Sequence, residues 1–228
     1  MGSFCGCSGR AAGRVFDVHA AGFSGDPRES GLGLLLTDAS EWVQRWTHLV
    51  PARGTVLDIA CGSGRHMKHF AELGHAVTGV DRAPEALASA GAWGETHLAD
   101  IEHGPWPFIF GGTVRSFDAV VVTNYLWRPL FGLMAQSLAP GGVLIYETFC
   151  RGNETVGKPS RPDFLLDHGE LLRVFPALHV IAYENGYLDN PARYVQRLIA
   201  MAPDSHHAAH ESASADARPL GRYPLSLK

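Results

Sequence analysis

Three residues in one short stretch, Asp58, Gly62 and Gly64, have types and spacing suited to holding a ligand. They belong to the run Val56-Leu57-Asp58-Ile59-Ala60-Cys61-Gly62-Ser63-Gly64-Arg65-His66, where an apolar segment gives way to a glycine turn and then to a helix-like pattern. Glycine has no Cβ, so backbone there can approach a nucleotide-like ligand closely. The first N–H groups of the following helix remain free to hold it. A second acid, Asp81, ends Val77-Thr78-Gly79-Val80-Asp81, 17 residues after Gly64. In a doubly wound sheet such an acid sits beside the first turn, where its carboxylate can accept from both ribose hydroxyls. Read locally, Asp81 is a helix-capping residue ahead of Pro84 and Glu85, and the two roles are compatible. A G-x-G-x-x-G dinucleotide fingerprint needs glycine where Met67 stands, and has no acid four residues before its first glycine.

The stretch from Asp58 to Gly64 resembles motif I of class I S-adenosyl-L-methionine (SAM)-dependent methyltransferases, worded D-x-x-C-G-x-G. Later pieces keep that family's order. His97-Leu98-Ala99-Asp100-Ile101 matches the third strand and its exit, Ser116-Phe117-Asp118-Ala119-Val120 the F-D-x-V fourth strand, and Leu138-Ala139-Pro140-Gly141-Gly142 the helix break before strand five over 143–147. The resemblance implies a Rossmann-like, doubly wound α/β fold: seven strands, mostly parallel, with an antiparallel last strand. It implies SAM as cofactor. Contacts are then expected from Asp58, Ala60, Cys61, Gly62 and Gly64 at the turn, and from Asp81 and Arg82 at the second strand's exit. Asp100 would face the adenine amino group and Ile101 its ring, while Asn124 and Tyr125 would stand near the methyl donor. Asn124 to Leu130, Tyr146 to Phe149, Gly152 to Glu154 and Lys158 to Phe164 are similar to a bacterial branch near the tellurite-resistance-type and thiopurine-type methyltransferases.

The cofactor of such an enzyme carries the activated group, so the protein chiefly aligns donor and acceptor and can remove a proton. Tyr125 and Trp127 are candidate aromatic neighbours of a sulfonium, with buried packing as the alternative. Arg128, Glu147, Asn153 and Glu154 are the polar candidates to position or deprotonate a small-molecule acceptor. Their plain alternatives are a helix-start ion pair for Arg128, a strand-end acceptor for Glu147 and loop residues for the other two. Segment 150–163 follows strand five, and its glycines and prolines suit a loop that closes over the acceptor. An RNA or protein methyltransferase and a non-catalytic SAM-binding protein are the other readings.

These residues need elements to position them. Ser40 reads as the N-cap of a helix over 41–49 with Trp42, Val43, Trp46 and Leu49 on one face. Residues 65–73 follow the spacing of a second helix with Gly74 beyond its end. Apolar runs at 178–187 and 193–201, joined by Asp189-Asn190-Pro191, suit an antiparallel hairpin. The methyltransferase domain is expected over 40–202, preceded by an arm over 1–39 and followed by a disordered tail over 203–228. The chain has 228 residues, 46% hydrophobic and 18% charged, enough for one well-filled core. A net charge of −4 gives no broad footprint for nucleic acid, and no apolar run is long enough for a membrane span. Cys5, Cys7, Cys61 and Cys150 suggest a reduced, cytoplasmic protein and lack metal-site spacing, so no metal is expected. Oligomeric state is left open.

Overall fold

The apolar runs of the sequence assemble into one seven-stranded sheet. In the computed structural model, which describes residues 38–204, the strands are β1 (Thr55–Ile59), β2 (Ala76–Asp81), β3 (Glu95–Leu98), β4 (Phe117–Thr123), β5 (Leu138–Phe149), β6 (His179–Asp189) and β7 (Ala192–Met201). Their order in space is β3-β2-β1-β4-β5-β7-β6. Only β7 runs against the others, pairing antiparallel with both β5 and β6. This is the expected doubly wound α/β sheet with a reversed last strand. The central strands β1 and β4 are buried on both faces, which is why their sequences read as continuous apolar runs.

Helices α1 (Glu41–Trp46), α2 (Arg65–Glu72) and α3 (Pro84–Ala90) cover one face, packing Trp42, Trp46, Met67, Phe70 and Leu87 against Val56, Val121 and Ile145. Helices α4 (Phe131–Gln136) and α5 (Glu170–Val174) cover the other, with Phe131, Met134, Leu171 and Phe175 over Leu57, Val120, Leu144 and Tyr146. The Ser40 hydroxyl caps α1, accepting from the Val43 N–H at 3.2 Å. The last turn expected of that helix, Thr47–Leu49, tightens to a 3-10 turn. Gly74, at φ +86, closes α2 by donating to the Ala71 carbonyl at 2.9 Å.

Met67 occupies the place of a third glycine, yet α2 still lies close to the sheet. The room comes from Gly79 in β2, where a Cβ would fall 2.3 Å from the Met67 sulfur and 2.7 Å from that of Cys61. A correction concerns the break before β5. The strand already pairs at Leu138 with Phe117, bulges through residues 139–142, and resumes at Val143 opposite Ala119. Helix α4 has ended at Gln136, and the Ser137 carbonyl accepts from the Phe117 N–H at 2.9 Å. Sheet pairing, rather than Pro140, ends the helix.

The chain builds β1, β2 and β3 in one direction, then returns to place β4 on the far side of β1. The resulting switch point lies between β1 and β4, at the carboxyl ends of the strands. A short hairpin, Ile109–Phe110 with Thr113–Val114, sits in the return path and has no counterpart in the sequence expectations. No helix among the described residues is long and apolar enough to cross a membrane. The expected arm and tail lie outside the described residues, apart from Asp38, Ala39, Pro203 and Asp204.

Candidate functional site

Both chain exits at the switch point are strained. Ala60, after β1, has φ +55, and Asn124, after β4, has φ +53. Left-handed backbone costs a non-glycine residue about 1–2 kcal/mol, and such residues cluster at functional sites. Asn124 is held by donating its N–H to the Glu147 carbonyl at 2.9 Å. The two glycines of the turn do different work. At Gly64, φ +85, a Cβ would lie 2.9 Å from the Cα of Ala90, so this glycine lets α2 approach α3. At Gly62, φ +53, a Cβ would meet nothing within 4 Å, so the space over the turn is open.

Asp81 is buried and ties this turn to the next helix. Its Oδ2 accepts from the Gly62 N–H at 2.8 Å and its Oδ1 from the Ala83 N–H at 2.9 Å. Asp58 lies deeper. Its Oδ2 has no hydrogen-bond partner among the described residues, and burial, with a smaller push from Asp81 and an opposing pull from Arg65, raises its carboxyl to about 8. Beside it is His66, which the sequence reading did not single out. Its Nε2 accepts from the Ser40 N–H at 3.2 Å, which places the ring proton on Nδ1, 3.3 Å from the Thr123 hydroxyl and 4.0 Å from Asp58 Oδ2. Burial keeps the ring neutral, so the contact between a protonated Asp58 and a neutral His66 is not an ion pair.

A shallow cleft opens beside the turn, lined by Ala60, Asp81, Arg82, Ala99, Asp100, Ile101, Glu102 and Tyr125 from the exits of β1 to β4. Asp100 spends its carboxylate on its own turn. It accepts from the N–H groups of Glu102 at 3.0 Å and His103 at 3.2 Å, and pairs with the His103 ring at 3.0 Å. Glu102 Oε2 and the Tyr125 hydroxyl make no well-formed hydrogen bond with a described residue, and the two groups interact with each other in the cleft. Burial raises the Glu102 carboxyl, and Asp100 adds to this against Arg82. Glu102 was missed because a lone acid after an expected contact residue carries no sequence signal. Cys61 is buried outside the cleft lining, its thiol pushed up by burial and by Asp58 and Asp81.

The polar candidates beyond β4 and β5 are differently placed, and none of the four is free in the way expected. Arg128 makes a two-point contact with Glu170 of α5 at 2.7 and 2.9 Å, and donates to the carbonyls of Asp163 at 3.1 Å and Leu165 at 3.0 Å. It is a clamp between loop and helix. Asn153 is buried, donating to the Pro159 carbonyl at 3.0 Å and accepting from the Tyr194 N–H at 3.1 Å. Glu154 is exposed and accepts from the Gly152 N–H at 2.8 Å. Glu147 is buried on β5 against Arg197 of β7, 2.6 Å from its Nε but off the angle of a good hydrogen bond. Leu166 and Arg151 add backbone bonds that stitch the loop to the end of β5. Segment 150–166 is thus pinned at both ends, by Arg128 and Asn153 and by the backbone bonds of Arg151 and Leu166.

Residues 56–142 match the family model described as "Methyltransferase domain". A putative methyltransferase, YqeM, of Bacillus subtilis is 28% identical over 124 residues, covering 47% of each chain. Among solved structures, TehB from Haemophilus influenzae aligns with a TM-score of 0.57 at 18% identity, over 71% of this chain and 61% of its own. Coclaurine N-methyltransferase, bound to N-methylheliamine and S-adenosylhomocysteine (SAH), aligns with a TM-score of 0.53 at 11% identity, over 70% of each chain. The chain spans about half the length of the curated relative it matches. Residues 56–142 thus carry the match to a methyltransferase domain, and the sheet has the fold of the methyltransferase structures it aligns with, TehB among them.

Proposed function

We propose that the protein transfers the methyl group of SAM to a small-molecule acceptor. The observation that carries this reading is the hydrogen bond of 2.8 Å between the Gly62 N–H and Asp81, set at the switch point under open space. A cradle that a Cβ would begin to fill, a buried acid at the second strand's exit, and a Glu102–Tyr125 pair without a well-formed hydrogen bond in the adjoining cleft together suit an adenosine-bearing cation. In this reading Asp81 holds the ribose, Ile101 packs on the base, and Glu102 with Asp100 meets its amino group. The Gly62 turn faces the methionine portion, and Asn124 and Tyr125 stand at the methyl end. When bound, SAM supplies an electrophilic methyl on a sulfonium. The chain's own contribution is alignment and exclusion of water. Arg128, Asn153 and Glu154 then serve the walls of the site rather than the reacting atoms, and Glu147 sets its charge through Arg197.

A small acceptor is supported by the net charge of −4, which offers no broad cationic face for RNA. The coclaurine N-methyltransferase among the fold neighbours is itself bound to a small molecule. Isothermal titration with SAM, SAH and NAD tests the cofactor, and SAH release with small amines, thiols and hydroxyl compounds tests the transfer. SAM and SAH are expected to bind and NAD to give no heat. Binding of NAD with no response to SAM overturns the reading.

A further inference from the structure

Four arginines gather on the α1–α2 face of the sheet, toward the carboxyl ends of β1 and β5, and only two of them are paired. Arg197 of β7 meets Glu147 at 2.6 Å, Glu184 at 3.1 Å and Glu41 at 3.3 Å. Arg45 of α1 meets Glu184 at 3.2 Å. Those contacts engage all three carboxylates of the cluster. Arg193 lies four residues before Arg197 on β7, hence on the same face and two same-face positions nearer the strand exits, with Val195 between. Arg65 opens α2 directly after Gly64. Both are half-buried, and neither makes a hydrogen bond or ion pair with a described residue.

Their charges are uncomfortable as they stand. Burial acts against both guanidinium groups. Arg193 repels Arg65, and Arg197 repels Arg193. Glu147 favours both but is already engaged by Arg197. Asp58, near Arg65, is kept largely protonated by burial and supplies little negative charge at neutral pH. Guanidinium groups withdrawn from water need an anion to satisfy them, and their planar forks match carboxylate or phosphate oxygens. The adenosine cleft lies on the other side of the turn, among the exits of β1 to β4, so this cationic pair stands apart from it.

We propose that Arg65 and Arg193 together bind an anionic group, a carboxylate or phosphate, carried by the methyl acceptor. The site names a substrate class: small acids whose accepting atom lies within a short reach of their anionic group. Arg65, next to the glycine turn, sets the anion's distance from the cofactor, and Arg193 holds it from the β7 side. This inference rests on the methyltransferase reading for the word acceptor, but the anion site itself can be tested independently.

The test titrates the full chain, saturated with SAH at low ionic strength, with inorganic phosphate, benzoate and succinate. At least one of the three is expected to bind, and its affinity to fall at least about tenfold in Arg193→Gln and in Arg65→Gln, the loss of roughly 1.4 kcal/mol. Arg193→Lys keeps the charge and should fall between wild type and Arg193→Gln, which separates loss of the site from loss of the fold. Arg53→Gln, exposed at the opposite end of β1, should bind as wild type does. Phosphate alone would mark a phosphorylated acceptor, and benzoate or succinate alone a carboxylate. Three results overturn the proposal: no binding of any probe, binding that survives both glutamine variants, or anions that compete with SAH, which would assign the arginines to the cofactor's own carboxylate. If SAH itself fails to bind, the cofactor reading falls, and the same titration on the free protein still decides the arginine site.

Discussion

The two halves of the sheet's carboxyl edge are built on opposite plans. From β3 to β1, backbone supplies the shape: strained Ala60, open Gly62 and a single acid, Asp81, that ties turn to helix. Asp58 keeps an oxygen there without a hydrogen-bond partner among the described residues, and Glu102 and Tyr125 have only each other. From β5 to β6, side chains bind one another: Arg128 with Glu170, Asn153 with Pro159 and Tyr194, Glu147 with Arg197. One half holds unmet hydrogen-bonding capacity ready for a ligand. The other uses much of its capacity to stiffen a wall, and Arg65 and Arg193, at the border between the two, make no hydrogen bond or ion pair with a described residue.

The largest effect expected from this difference is in pH dependence. Asp58 keeps its proton in the folded state up to about pH 8, whereas an unfolded Asp loses it near 4. The folded state therefore binds more protons through that window, and stability must fall as pH rises from about 4 to about 8, then level off. Asp58→Asn removes the contribution, so melting curves of the variant, compared with wild type, should gain most at the upper end of the window. A constant difference at every pH would mean that Asp58 is ionised and paired in solution.

Next in size is Asp81→Ala. If Asp81 holds the ribose, the variant should lose about 2–4 kcal/mol of SAM affinity, roughly 30- to 1000-fold, by titration. An unchanged affinity would reduce Asp81 to the turn-and-helix tie already visible. On the wall side, Arg128→Met leaves Glu170 without its partner and should lower stability by about 2–3 kcal/mol in urea. SAH affinity should stay within about twofold, roughly 0.4 kcal/mol. A variant equally weakened in cofactor binding would show that the two halves are one mechanical unit.

The smaller tests come from the loop. Asn153→Ala removes both anchors of a buried amide and should cost about 1–3 kcal/mol of stability, while Glu154→Ala, at an exposed position, should stay within about 0.5 kcal/mol. Turnover of folded Glu154→Ala should match wild type. A tenfold loss there would revive the loop as a lid over the acceptor.

The turn after β1 was legible because it is local. Asp58, Gly62, Gly64 and Asp81 act through a strand, a turn and the start of a helix, all within 24 residues, and glycine and acid at those spacings carry their reasons with them. The alternation of apolar runs with helical patterns likewise gave the strands, the helices and the closing antiparallel hairpin, while the doubly wound seven-stranded order came from the family resemblance. Arg128, Glu147 and Asn153 were recognised as important polar residues, but their partners lie 42, 50 and 41 residues away, in Glu170, Arg197 and Tyr194. No spacing rule connects residues that meet only because β7 inserts between β5 and β6 and α5 packs beneath the loop. The same holds for Glu102, which meets Tyr125 only in the finished cleft, and for Arg65 and Arg193, which neighbour each other only across the finished sheet. Composition and spacing determine the elements and the turn that one element makes with the next; which charges end up satisfied, and which are left for a ligand, is settled by the packing of distant segments.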